Sequence, residues 1–250
     1  MKKLTLLLTF LLPFFWLSAQ ETPQAASQNP AVIPTHRQHL QWWKVRLEQK
    51  EALANRQYDT VLLGDSITHN WDVFAPDLQN HYFGDALNLG FSGDRTQDVL
   101  WRIARIDWNV VAPKRIQLMI GTNNTGHDLN AKPEDTFEGI RAIVNYLAGH
   151  CPQARITVLH IFPRGANKDD PKRIINQKIN QLIPTLENGS TIVCRDLSSL
   201  YLQADGHTLR RELMPDLLHP NKEGCRLWGE AIAPEFMGTP AATAAPQAQP

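Results

Sequence analysis

Five short runs of mostly aliphatic and β-branched residues recur along this chain, at 60–63, 86–89, 115–120, 155–160 and 191–196, and helix-length segments separate them. Each run reads as a strand buried on both faces. The intervening segments 95–105, 133–149, 171–186 and 221–236 read as helices, and a further helix over 35–55 precedes the first run. Strands spaced by helices build βαβ units, because parallel neighbours need a crossover and the crossover helix must cover the sheet. The pattern therefore predicts an α/β fold, a three-layer α/β/α sandwich around a central, mainly parallel five-stranded sheet. A chain of 250 residues without internal repeats suits one such domain, expected over 35–237.

The flanks differ in character. Lys2 and Lys3 precede an apolar run and Leu17-Ser18-Ala19, which reads as a signal peptide over 1–19. The run is too short for a comfortable membrane span, so export to the periplasm or outside the cell is expected, without stable membrane insertion after cleavage. Residues 20–34 read as a flexible linker and 238–250 as a disordered tail, both rich in Pro, Ala and Gln. Export places Cys151, Cys194 and Cys225 in an oxidising compartment. Their odd number leaves at least one unpaired within the chain, and they read as buried small hydrophobes with room for one bridge. Lys+Arg and Asp+Glu balance at 25 each, which gives no basic face for nucleic acid.

Ligands of open parallel sheets sit beyond the carboxyl ends of the strands. The segments that follow the first three runs carry reactive residue types: Gly64-Asp65-Ser66, then Gly90-Phe91-Ser92-Gly93-Asp94, then Gly121-Thr122-Asn123-Asn124. Asp216-Leu217-Leu218-His219-Pro220 lies before the last helix. Serine is a weak nucleophile until a base takes its proton, and a carboxylate three positions before a histidine can orient that base. Ser66, Asp216 and His219 are thus candidate nucleophile, acid and base. Gly93 and Asn123 can offer a backbone N–H and a side-chain amide to an oxyanion, with the N–H of Ser66 as a third donor. Taken singly, each has a plainer role: Asp65 or Ser66 as a helix cap, Gly93 in a turn, Asn123 in an Asx turn, Pro220 at a helix start. A Gly-x-Ser-x-Gly elbow is absent, since position 68 is Thr68. The Cys and His residues show no zinc-ligand spacing, and no cofactor is expected.

Taken together, the four segments resemble the SGNH (GDSL-type) hydrolase superfamily of esterases and lipases, in family order. The resemblance covers about 60–233 and implies a flavodoxin-like sheet, Ser66 as nucleophile, Ser66, Gly93 and Asn123 as oxyanion donors, and Asp216 and His219 as acid and base. The stretch 88–103 is most similar to the catalytic subunits of intracellular platelet-activating factor acetylhydrolase and their bacterial relatives, which remove small acyl groups. Ile67 stands where the family motif has Leu, and Phe91-Ser92 replace small residues. The resemblance implies a serine esterase for short acyl, foremost acetyl, esters; expected export and a balanced charge point to carbohydrates as the alcohol. The alternatives are a lipase or lysophospholipase, and a non-catalytic glycan-binding protein. Asp65, Trp71, Phe91 and Trp101 are candidate substrate contacts; for Trp71 and Trp101 core packing is the competing assignment.

Overall fold

The computed structural model describes residues 29–126 and 131–237. The expected signal peptide, most of the expected linker and the expected tail lie outside the described residues. In chain order the elements are α1 (Gln41–Leu53), β1 (Thr60–Gly64), α2 (Ser66–Phe74), α3 (Pro76–Phe83), β2 (Leu87–Gly90), α4 (Thr96–Ile103), α5 (Trp108–Val111), β3 (Arg115–Met119), α6 (Thr122–Gly126), α7 (Pro133–His150), β4 (Arg155–Leu159), α8 (Pro171–Leu182), β5 (Ile192–Arg195) and α9 (Lys222–Phe236).

The five apolar runs are the five strands. They form one parallel sheet in the order β2-β1-β3-β4-β5. Alternation along each strand divides the core. Val61, Leu63, Ile116, Leu118, Ile156 and Val158 point to the face covered by α4, α5, α7 and α8. Leu62, Met119 and Leu159 point to the face covered by α2, α3 and α9, where Trp71, Trp228, Phe83 and Phe236 pack edge to face. The order reverses direction beside β1. The crevice above the carboxyl ends of β1 and β3 is therefore the switch point where this architecture binds ligands.

Two expectations change. Helix α1 begins at Gln41, not at 35; the preceding segment is irregular, turns at 38–39, and is tied to α4 by the Thr35 N–H, which donates to the Gln97 carbonyl at 3.1 Å. Residues 29–34, expected as flexible linker, are instead fastened to the domain. Pro30–Val32 form a 3₁₀ turn with Ala31 buried, the Ala31 carbonyl accepts from Thr96 Oγ1 at 2.8 Å, and the Asn29 amide donates to the Asp135 carbonyl at 3.0 Å. The anchoring bonds use backbone carbonyls, which composition does not register. All three cysteines are free thiols, Cys151 and Cys225 buried. Among the described residues no helix is long and apolar enough to cross a membrane.

Candidate active site

Ser66 opens α2 directly after β1. The turn from strand to helix is tight because Asp65 caps the helix, its Oδ1 accepting from the Ile67 N–H at 2.9 Å. Helix α2 then lies against bare backbone. A Cβ built at Gly90 would stand 2.6 Å from the Thr68 carbonyl carbon, so this position admits only glycine. The Asn88 amide fixes the same turn of helix by donating to the Thr68 carbonyl at 2.9 Å. As first helical residue, Ser66 presents its N–H unpaired at the positive end of the helix.

The candidate base lies 153 positions further along the chain. Ser66 Oγ is 2.8 Å from His219 Nε2, and His219 Nδ1 is 2.6 Å from Asp216 Oδ2. Asp216 Oδ1 accepts the backbone N–H of both Leu218 and His219, at 3.0 and 2.8 Å. One carboxylate thus builds the turn and orients the ring. Leu217, between Asp216 and His219, has φ 64°, a left-handed conformation that a bulky side chain adopts only under constraint. Part of that constraint is the Gly165 N–H, which donates to the Leu217 carbonyl at 2.9 Å. Burial pushes the Asp216 carboxyl up. The His219 N–H and ring outweigh it and hold the group below the ordinary carboxylate range, so it stays ionised.

The candidate donor loops adjoin. Gly93 has φ 76°, and Asn123 lies in the first turn of α6. Asn123 Nδ2 donates to the Asp94 carbonyl at 3.0 Å, which spends one amide hydrogen on positioning and leaves the second for a ligand. Asn124 clips this loop to α4: its Oδ1 accepts the Thr96 N–H at 3.1 Å and its Nδ2 donates to Thr96 Oγ1 at 3.0 Å. On the far side, Arg164 Nη1 donates to the Thr122 carbonyl at 3.2 Å.

Sequence reasoning passed over the residue that joins these loops. The Asp94 side chain is fully buried and accepts from Arg102 Nε and Trp43 Nε1, each at 2.7 Å. Burial pushes its carboxyl up to about 6, and Arg102 opposes the rise. The only available signal was its place directly after Gly93. Asp65 is also buried; desolvation lifts its carboxyl to about 7 against the pull of the Ile67 N–H, with Asp94 adding to the rise.

The expected substrate contacts are corrected by burial. Trp71 and Phe91 are both 0% exposed, Trp71 inside the core under α2 and Phe91 between Trp43 and the Arg102 guanidinium. Asp65 is a helix cap. Trp101 is half-buried and packs on Trp43 and His36. None of the first three presents a face to a ligand.

Other histidines meet fewer partners. His69 Nδ1 is 2.9 Å from Ser92 Oγ, and burial, with Arg46 nearby, lowers its pKa to about 4. His160 and His207 face Asp196 and Asp205 at 3.5 and 3.2 Å. Among the described residues only His219 joins a serine hydroxyl to a carboxylate, and no group of three or more His, Cys, Asp or Glu could hold a metal ion.

Residues 62–227 match the GDSL-like lipase/acylhydrolase family. Platelet-activating factor acetylhydrolase IB subunit alpha1 from Pongo abelii is 31% identical over 208 residues, covering 80% of this chain and 86% of that protein. Two solved structures share the fold. A GDSL-like lipase from Bacteroides thetaiotaomicron superposes with a TM-score of 0.62 at 19% identity, covering 77% of this chain and 96% of that one. An acetylxylan esterase from Geobacillus stearothermophilus gives 0.57 at 17% identity, covering 74% and 97%. The fold and these relatives define a carboxylic ester hydrolase. The chain belongs to the GDSL-like lipase/acylhydrolase family.

Proposed function

We propose that this protein is an exported serine esterase that removes short acyl groups, chiefly acetyl, from carbohydrates. The observation that carries the chemistry is the continuous line of hydrogen bonds from Ser66 Oγ through the His219 ring to Asp216. His219 Nε2 takes the hydroxyl proton as Ser66 attacks the ester carbonyl, while Asp216 holds the other ring nitrogen and stabilises the imidazolium. The N–H groups of Ser66 and Gly93 and the free amide hydrogen of Asn123 receive the oxyanion. His219 then protonates the departing alcohol. Water, activated by the same ring, releases the acid and restores Ser66.

Acetyl as the acyl group is supported by the names of two relatives, an acetylhydrolase and an acetylxylan esterase. The carbohydrate alcohol is supported by the second of these. Export rests on the sequence of residues 1–19.

The test is hydrolysis of p-nitrophenyl esters from acetate to palmitate, followed by a panel of O-acetylated oligosaccharides. Rates that are highest on acetate and fall with chain length, with acetate release from at least one oligosaccharide, are the expected result. A maximum at long chains would replace this reading with a lipase.

A further inference from the structure

The alcohol half of an ester must lie on the side of His219, because that ring hands it a proton. A cavity of about 420 Å³ opens there, lined by Asp216, His219, Pro215, Pro220, Asn70 and Phe74. Ser66, Asn70 and Phe74 stand four residues apart on α2 and so share one face of the helix. At about 1.5 Å per residue, they mark a line roughly 12 Å long leading away from the nucleophile. Phe74 is 56% exposed, whereas Trp71, between the two, is buried. Asn70 makes no hydrogen bond with its amide among the described residues, whereas Asn88 on β2 makes three side-chain bonds.

We propose that this face of α2 is the binding subsite for the alcohol, and that it takes an oligosaccharide rather than a single sugar. The inference rests on the esterase reading of Ser66 and His219. A free carboxamide matches the paired donor and acceptor of a sugar hydroxyl. An exposed phenyl ring flanked by prolines matches the apolar C–H face of a pyranose. At its distance from Ser66, Phe74 meets not the acylated sugar but its neighbour in the chain. A lipid alcohol would leave the Asn70 amide unpaired against hydrocarbon, which is unfavourable.

The experiment compares wild type, Asn70→Ala, Phe74→Ala and Phe74→Trp on p-nitrophenyl acetate, acetylated monosaccharides, acetylated oligosaccharides and a lysophospholipid. The quantity read is kcat/KM on each sugar divided by kcat/KM on p-nitrophenyl acetate. In Phe74→Ala the ratio should fall about tenfold for oligosaccharides, mostly through KM, and little for monosaccharides. Phe74→Trp should keep or raise it. An unchanged oligosaccharide ratio in Phe74→Ala overturns the subsite while leaving the esterase intact. Wild-type activity on p-nitrophenyl acetate with none on any acetylated sugar overturns the carbohydrate reading itself. A Phe74 effect confined to lysophospholipid hydrolysis would assign the groove to lipid and overturn the proposal.

A separate observation concerns the donor loop. Arg37, in the irregular segment before α1, places Nη1 3.0 Å from the Ser92 carbonyl oxygen and 3.8 Å from Asp94 Oδ1. A Cβ on Gly93 would be 2.6 Å from the same nitrogen, so the guanidinium lies against the glycine itself. The Ser92 carbonyl and the Gly93 N–H belong to one planar trans peptide and point in opposite directions. Holding the oxygen from outside therefore turns the hydrogen inward, and a charged donor on the oxygen polarises that N–H into a stronger donor. We infer that Arg37 is a positioning residue for the oxyanion contact of Gly93. Arg37→Ala should lower kcat on p-nitrophenyl acetate about tenfold, less than the 10²–10³ that accompanies loss of a whole donor, with KM nearly constant. Added guanidinium should restore part of the loss in Arg37→Ala, and Arg37→Lys should retain an intermediate rate. A loss that appears in KM alone, or a kcat loss that neither guanidinium nor Lys recovers, overturns this role.

Discussion

The two halves of the site are built on opposite plans. Ser66 rests on buried, regular structure: a strand end, a helix cap and two backbones packed so closely that Gly90 admits no side chain. His219 and Asp216 stand on an irregular turn with the acid's side chain 57% exposed, secured by two N–H bonds to Asp216 and one from Gly165. The proposed nucleophile is held by what lies beneath it, and the proposed base by bonds within its own loop. Position on one side comes from steric exclusion, and on the other from a carboxylate that serves both turn and ring.

The sharpest way to break this contrast is through activity. Ser66→Ala should lower kcat by about five to six orders of magnitude, as removal of a nucleophile does in serine hydrolases. Asp216→Asn should cost about 10⁴, since the acid supplies orientation and charge rather than the bond-forming atom. Single-turnover kinetics on p-nitrophenyl acetate give both numbers. Equal losses would show that the base half carries the same weight as the nucleophile.

Stability comes next. Gly90→Ala should cost about 1–3 kcal/mol or more in urea unfolding, because backbone rather than a flexible side chain stands in the way. A loss under about 0.5 kcal/mol would mean that α2 can slide, and the steric account of Ser66 would fail.

The last test is a difference in sign. Asp65 has its folded pKa raised from 3.8 to about 7, so it holds its proton more tightly in the folded protein than in the unfolded one. Its contribution is full below its unfolded pKa and is lost as pH rises through the folded value. Asp65→Asn keeps the capping oxygen and should flatten the decline across that window, leaving the variant more stable than wild type in mild alkali. Asp94, raised to about 6, preserves part of the slope. Asp216 is shifted down, so its contribution is present above its unfolded pKa and disappears as pH falls through the folded one. Asp216→Asn should therefore be less stable than wild type at neutral pH and converge with it in acid. Thermal melts across about pH 3 to 9 separate the two; matching signs would defeat the distinction.

The sheet was legible because buried parallel strands are continuous apolar runs, and all five stand where those runs are. Helices α2 and α3 were not delimited. Their eighteen-residue span carries β-branched, aromatic and amide residues of modest helix propensity, and tertiary packing supplies what propensity lacks. The site segments were legible as motifs at strand ends. What joins them was not: the bonds from Arg37 to Ser92, from Asn123 to Asp94 and from Arg164 to Thr122 link positions 29 to 55 residues apart and leave no local pattern. Trp71 and Phe91 misled because an aromatic near a site loop reads the same whether it faces solvent or core. Phe74, the exposed ring, drew no attention beside them.

Ser66 and His219 are in contact across 153 positions of chain. A polypeptide made from its amino end carries the proposed nucleophile for most of its synthesis without a base to activate it. In the proposed mechanism hydrolysis waits until α9 docks and brings the turn before it to Ser66. Contacts of such span are late events in folding. The first appearance of ester cleavage during refolding therefore times the meeting of Ser66 and His219.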